Sequence, residues 1–232
     1  MIRIIIARHD DEVFKEYLED SINMLDVTIH EVRDSGEKSL SLTAKYNIGI
    51  KDVLLAEDFS ENDIIVFAHE DIKIKDKYFT EKLNMVFKKD TIGLCGVIGT
   101  KEFTESGMWW ANTPDKLNGH IIQENNGNTQ HLVKGELGYY EDIVAVDGLL
   151  FAINGKLIKD GLIFDESFKF HHYDIDICFQ VLESKYKVVI ADILLQHKSM
   201  GLGSLNDDYK ESKKQLISKW SKYEFPISTK TF

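Results

Sequence analysis

The sequence predicts an α/β fold with a mostly parallel central sheet flanked by helices, and two observations predict it. Short β-rich apolar runs alternate with helical patterns in units of about 30 residues, as strand–helix–strand repeats do. The first of these runs, Ile2 to Ala7, is continuous rather than alternating, the pattern of a strand buried on both faces of a parallel sheet.

The elements follow in order. After Ile2–Ala7, apolar Phe14, Tyr17, Leu18, Ile22 and Leu25 recur at helical spacing and predict a helix over Asp11–Asp26. Val27–Val32 reads as a second strand ending in Asp34-Ser35-Gly36, and Leu40, Ala44 and Ile48 mark a helix over Leu40–Ile50. Asp63–Ala68 is the plainest strand. Phe79, Leu83 and Val86 follow as a helix, and Ile92–Ile98 as another strand. Residues 100–142 break the pattern with five glycines, the polar run Glu124-Asn125-Asn126-Gly127-Asn128 and the pair Trp109-Trp110, so an irregular functional loop or insertion is expected there. Regularity returns at Ile143–Ile153, then in the helical pattern of Ile175, Cys178, Phe179 and Leu182, the strand Lys187–Leu195, and a polar amphipathic helix with Tyr209, Leu216 and Trp220. There is no internal repeat or Pro-rich linker, so one domain over residues 1–232 is expected, with a helix and tail over 205–232.

Composition narrows the function. With 43% hydrophobic residues and only two prolines, the 232-residue chain has the make-up of an ordinary globular core rather than a disordered one. A net charge of −11 argues against wrapping a nucleic acid and suits a bound cation better, although a merely soluble surface has the same balance. Cys95 and Cys178 are too few for a disulfide framework or a four-thiolate zinc site, which points to a reduced, cytoplasmic setting. No stretch approaches the roughly 18 apolar residues of a membrane span.

Open α/β sheets bind ligands beyond the carboxyl ends of their strands, so the residues just past each strand carry the functional signal. His69-Glu70-Asp71 follows the strand Ile64–Ala68 directly. Side chains alternate along an extended chain, so His69 and Asp71 project to one side and Glu70 to the other. Such a pair suits a divalent cation that grips a diphosphate, and a polar strand exit is the bland alternative. His197 also follows an apolar strand and is expected at the same sheet edge. Asp174 and Asp176 open a helix, where acidic residues favour the dipole; they point about 200° apart, so at most one of them is a catalytic base. His171 and His172 beside them are as readily packed residues as ligands. Gly93–Gly99 has Gly-Xaa-Xaa-Gly spacing without a phosphate-loop or dinucleotide fingerprint. Trp109 and Trp110 suit either a sugar-stacking platform or a local core.

Taken in order, these pieces resemble the GT-A-fold glycosyltransferases of family two, and within them the small bacterial group related to the streptomycin-biosynthesis StrF-like proteins. The resemblance rests on Val32-Arg33-Asp34-Ser35-Gly36, Ala44-Lys45-Tyr46-Asn47-Ile48-Gly49-Ile50, Val66-Phe67-Ala68-His69-Glu70-Asp71-Ile72, Gly93–Gly99 and Val146-Asp147-Gly148-Leu149. It continues through Phe164-Asp165-Glu166, His171-His172-Tyr173-Asp174-Ile175-Asp176-Ile177-Cys178 and His197-Lys198-Ser199.

The resemblance implies a metal-dependent transferase that moves a sugar from a nucleoside-diphosphate sugar, a UDP-sugar, to a hydroxyl of a bacterial glycan or metabolite. His69-Glu70-Asp71 sits where the family carries Asp-Xaa-Asp, which implies Asp71 as a ligand of Mn²⁺ or Mg²⁺ with His69 in place of the first Asp. His197 matches the late metal-binding His. Ala7, Arg8, Asp34, Asn47 and Glu70 fall on the nucleotide-sugar side, and Asp174 aligns with the general base of inverting members. Trp109, Trp110, Asp147, Gly148, His171 and Tyr173 fall toward the acceptor. Two departures stand out: His69 for Asp, and Tyr173 for the Glu that precedes the base. They leave open a non-catalytic nucleotide-sugar-binding module on the same fold, and more weakly a phosphohydrolase built on His69, Asp71 and His197.

Overall fold

The structure, a computed structural model, describes residues 1–34, 39–125, 127–198 and 205–232. Ser35, Gly36, Ser199 and the Gly201 turn therefore lie outside the described residues. Strand β1 (Ile2–Arg8) leads into α1 (Asp11–Phe14), a π-helical turn over Lys15–Glu19, and α2 (Asp20–Ile22), followed by β2 (Thr28–Arg33), α3 (Leu42–Leu55) and β3 (Ile64–Ala68). Next come β4 (Ile72–Ile74), α4 (Phe79–Val86), β5 (Ile92–Gly96), β6 (Ile98–Thr100), β7 (Glu102–Phe103), β8 (Leu117–Asn125), β9 (Asn128–Lys134), β10 (Tyr140–Ile143) and β11 (Ala145–Val146). The remaining elements are β12 (Leu150–Asn154), α5 (Gly155–Lys159), α6 (Tyr173–Glu183), β13 (Lys187–Ile190), β14 (Leu195–Lys198), α7 (Asp207–Lys219) and β15 (Ile227–Ser228).

A seven-stranded sheet in the order β10-β13-β5-β12-β3-β1-β2 forms the centre, and β1 within it is buried along its whole length. The helices that cover it begin where short polar side chains satisfy their free amides. Asp10 accepts from the amides of Glu12 and Val13, and Ser41 from that of Ala44. Helix α3 lies so close on β1 that a Cβ at Gly49 would sit 2.3 Å from Cγ2 of Ile5.

Among the described residues, three of the six neighbouring strand pairs in this sheet are parallel and three antiparallel. The mostly parallel sheet expected from the strand–helix alternation is therefore mixed. The reason lies in β12, which runs antiparallel to both β3 and β5 and is reached from β11 through the tight turn at Asp147-Gly148-Leu149 rather than by a helical crossover.

A second sheet, β11-β6-β8-β14-β4, with β9 paired to β8, was not expected. Three of the apolar runs read as single strands are each divided between the two sheets. Ile92–Ile98 becomes β5 and then β6, Ile143–Ile153 becomes β11 and then β12, and Lys187–Leu195 becomes β13 and then the start of β14. Each run stays apolar because the buried residues of both sheets form one contiguous core. Hydrophobicity reports burial and is blind to the change of sheet.

Residues 100–142, expected to be irregular, carry β7, β8, β9 and β10. Strand β9 hides its nature because most of its residues are exposed, Asn128, Thr129, Gln130 and His131 among them, so no apolar alternation marks it. The C-terminal helix is tied to α6 through buried Asp176. Its carboxylate accepts from Nε1 of Trp220 at 2.9 Å, Nε2 of Gln180 at 2.8 Å and Nζ of Lys219 at 2.9 Å. Replacing Asp176 with Ala strands the buried indole N–H. We expect Asp176→Ala to lower the unfolding free energy by about 2–3 kcal/mol, measured by denaturant titration, with Mn²⁺ binding by the folded protein unchanged.

Candidate functional site

Strand β3 ends at Ala68, and the amide of His69 donates to the carbonyl of Leu149 at 3.0 Å, which carries the chain out of the first sheet. The next three side chains alternate as expected. Glu70 turns toward the end of β1, where its carboxylate accepts from the amides of His9 at 2.8 Å and Asp10 at 3.0 Å. His69 and Asp71 turn the other way, with Nδ1 of His69 3.8 Å from Oδ1 of Asp71. Strand β14 pairs antiparallel with β4 so that His197 stands opposite Ile72, and Nε2 of His197 comes within 3.6 Å of Oδ2 of Asp71.

His69, Asp71 and His197 thus offer three ligand atoms that all lie within 4.8 Å of one another. One of them, Oδ1 of Asp71, is buried and makes no hydrogen bond. An orphaned carboxylate oxygen facing two imidazoles is a donor set that fits a divalent metal cation. The electrostatics agree. Burial works against the Asp71 carboxylate, yet the close approach of His197 and the adjacent His69 ring hold it below the usual carboxylate range. Burial likewise opposes charge on His197, and the Asp71 carboxylate outweighs it and raises that imidazole.

The opposite wall carries Asp174 in the first turn of α6. This helix is entered through His172 at φ 60°, a left-handed backbone that swings the turn toward the site. Asp174 Oδ2 accepts from the amide of Gly148 at 3.0 Å. Burial, reinforced by the charge of Asp147, pushes the Asp174 carboxyl up to about 7. A Cβ at Gly148 would lie 2.3 Å from the Tyr173 hydroxyl and 3.2 Å from Cβ of Asp174, so only glycine allows the helix this close. The Asp71, His197, Asp147 and Asp174 side chains share a cavity of about 210 Å³ with Trp109, Trp110 and His171. A wider cleft of about 610 Å³, bordered by the same Trp pair and by Gln123, Asn125 and Gln130 of the β8–β9 hairpin, adjoins it.

Within the tryptophan pair, Trp109 is buried in the core and Trp110 is exposed toward the cleft. His171 packs edge-on against Tyr209. Tyr173 lines the cavity but is itself buried, with its hydroxyl held by His69 and Gly148.

On the side expected for the nucleotide, Asp34 accepts from the amide of Leu40 at 2.8 Å and pairs with Lys45 at 3.2 Å; the Leu40 amide and Lys45 hold its carboxyl low. Lys45 also donates to the carbonyl of Arg8 at 2.7 Å, pinning the ends of β1 and β2 together. Ala7 is buried in β1 opposite Val32. Arg8 and Asn47 both make hydrogen bonds within the fold. The Arg8 guanidinium bonds Glu31 at 2.6 Å and Asp11 at 2.5 Å over the ring of Phe14. Asn47 spends both ends of its amide on the backbone of Phe164, at 2.9 Å each, which anchors the segment leading to α6. Sequence reasoning missed Lys45, whose charge in a helical apolar pattern is the available signal, and the β8–β9 lining, which has none beyond its turn residues.

A family model described as "Glycosyltransferase like family" matches residues 3–220. The chain belongs to that glycosyltransferase-like family. Among solved structures it is similar to GalNAc-T7 with UDP, GalNAc and Mn²⁺, at 9% identity and a TM-score of 0.61 over 94% of this chain and 47% of that one. It is also similar to the mannosyltransferase PcManGT from Pyrobaculum calidifontis in complex with GDP-Man and Mn²⁺, at 11% identity and a TM-score of 0.61 over 99% of this chain and 66% of that one. A197 from STIV matches at 10% identity and a TM-score of 0.51, over 85% of each chain. The chain therefore spans about half the length of the first of these and just under two thirds of the second. No curated protein matches it by sequence. The likeness shows that this glycosyltransferase-like chain has the GT-A fold. Among the described residues no helix is long and apolar enough to cross a membrane.

The raised Asp174 carboxyl has a consequence for stability in the metal-free protein. An unfolded Asp ionises near 3.8 and the folded one near 7, so folding favours the protonated form, and stability is lost as pH rises between those values. In EDTA, Asp174→Asn should therefore match wild type at pH 3.5 and exceed it by roughly 2–4 kcal/mol at pH 8, read by urea unfolding across the range.

Proposed function

We propose that this protein is an inverting glycosyltransferase. It transfers a sugar from a nucleoside-diphosphate sugar, a UDP-sugar, to a hydroxyl of a glycan or small metabolite, on a single domain of the StrF-like type. The observation that carries this reading is the convergence on one cavity of Asp71, set between two imidazoles that hold its carboxyl low, and Asp174, whose carboxyl burial raises to about 7. Carboxyl groups pushed apart in this way have different tasks.

His69, Asp71 and His197 would hold the divalent cation. When bound, it neutralises the charge that grows on the departing diphosphate. The remaining chemistry belongs to the chain. Asp174, poised near neutrality, accepts the proton of the acceptor hydroxyl as that oxygen attacks the anomeric carbon. Burial and, after it, the charge of Asp147 raise this base, and the amides of Gly148 and Ile175 each hold one of its carboxylate oxygens. Trp110, exposed at the mouth of the amide-lined cleft, offers a flat apolar face of the kind on which sugar rings stack. Asp34 with Lys45 at the ends of β1 and β2 forms the wall for the nucleotide base.

Release of UDP from UDP-sugars with Mn²⁺ tests the reading. Wild type should turn over, and Asp174→Asn should fall by about 10²–10⁴-fold; nucleotide binding without turnover of any sugar donor would overturn it in favour of a binding module. In the same assay kcat/KM should rise with pH to a plateau, with an inflection at or below 7, because a bound cation pulls the carboxyl down. Asp147→Asn should move that inflection to lower pH by removing the neighbouring charge.

A further inference from the structure

The two positions at which this chain departs from the resembling family, His69 and Tyr173, are 104 residues apart and in direct contact. Nε2 of His69 lies 2.8 Å from the Tyr173 hydroxyl, which lies 2.9 Å from the carbonyl of Gly148. The proton positions follow from what each group is able to do. The Gly148 carbonyl only accepts, so the tyrosine O–H points to it. The tyrosine oxygen then has only lone pairs left for His69, and Nε2 must carry the hydrogen between them. Nδ1 of His69 is thereby left bare, and it is the nitrogen that faces Asp71 at 3.8 Å.

We propose that Tyr173 is a positioning residue for cation capture: it locks His69 in the Nε2–H tautomer and fixes its ring so that Nδ1 completes the Asp71–His197 site. The proposal rests on the reading that this trio holds a divalent cation. A metal-bound histidine is oriented by whatever accepts its second N–H, and a phenol pinned by a backbone carbonyl is such an acceptor.

The arrangement is built, not incidental. Tyr173 is 4% exposed, and its hydroxyl occupies the space that a side chain at residue 148 would take. Gly148 in turn donates its amide to Asp174 at 3.0 Å. One tyrosine therefore ties the metal-side histidine to the residue that orients the proposed base, and the two departures form a matched pair. An Asp in place of His69 would have no N–H to be held and no tautomer to choose.

Two measurements on the full chain test this. The first is ¹⁵N-histidine NMR of the metal-free protein, which reports the tautomer without any bound ion. His69 should be the Nε2–H form in wild type and a mixture in Tyr173→Phe; an Nδ1–H form in wild type, or an unchanged tautomer in the variant, would overturn the proposal. The second is titration with MnCl₂ alone, followed by EPR of the free ion. Tyr173→Phe should weaken binding about 10–100-fold, while in a His69→Asp background the same change should cost little. A Tyr173→Phe variant that is folded by circular dichroism and binds Mn²⁺ like wild type would sink the positioning role, as would an equal penalty in both backgrounds. Asp71→Asn serves as the control that separates the two readings. If it leaves Mn²⁺ affinity unchanged, the metal site itself fails, whatever the tautomer result.

Discussion

The antiparallel pairing of β14 with β4 is the constraint on which the site depends. Its register sets His197 opposite Ile72, one residue from Asp71, and the amide of Lys198 donates to the Asp71 carbonyl at 2.9 Å. A slip of one residue would turn the imidazole to the other face of the sheet and dissolve the cluster. The register has little freedom, because β14 is held on its other side by β8, with His197 beside Gln123. The second sheet thus delivers His197 to the exit of the first, and the His69–Asp71–His197 cluster sits where the two sheets meet.

That junction also explains how one cavity shifts two carboxyls in opposite directions. Asp71 lies between imidazoles, and the close approach of His197 with the neighbouring His69 ring overcomes the cost of burial. Asp174 is buried and lies near another carboxylate, Asp147, so burial and repulsion act in the same direction. The same logic gives Gly148 its importance, since it touches both the Asp174 carboxylate and the Tyr173 hydroxyl.

Much of this was legible along the chain. His69 and Asp71 share a side because an extended backbone alternates, and Glu70 faces β1 for the same reason. The angular separation of Asp174 and Asp176 holds as well: Asp174 faces the cavity, and Asp176 is spent on Trp220 and Lys219. Asn47 and Arg8 show where such reasoning stops. The resemblance sets both on the nucleotide-sugar side, and spacing along the chain gives no hint of the partners they meet in the fold, the Phe164 backbone and Glu31. The hairpin β8–β9 was invisible because an exposed polar strand has no periodic apolar signal.

The sequence by itself determined the α/β class and the alternation that puts His69 and Asp71 on one side of a strand end, because local periodicity and short-range spacing are written in neighbouring residues. Only the tertiary structure decided that three apolar runs change sheets midway, that His197 meets Asp71, and that Tyr173 meets His69. Those contacts join residues more than 100 positions apart, and strand register and close packing against a glycine, rather than any local preference, bring them together.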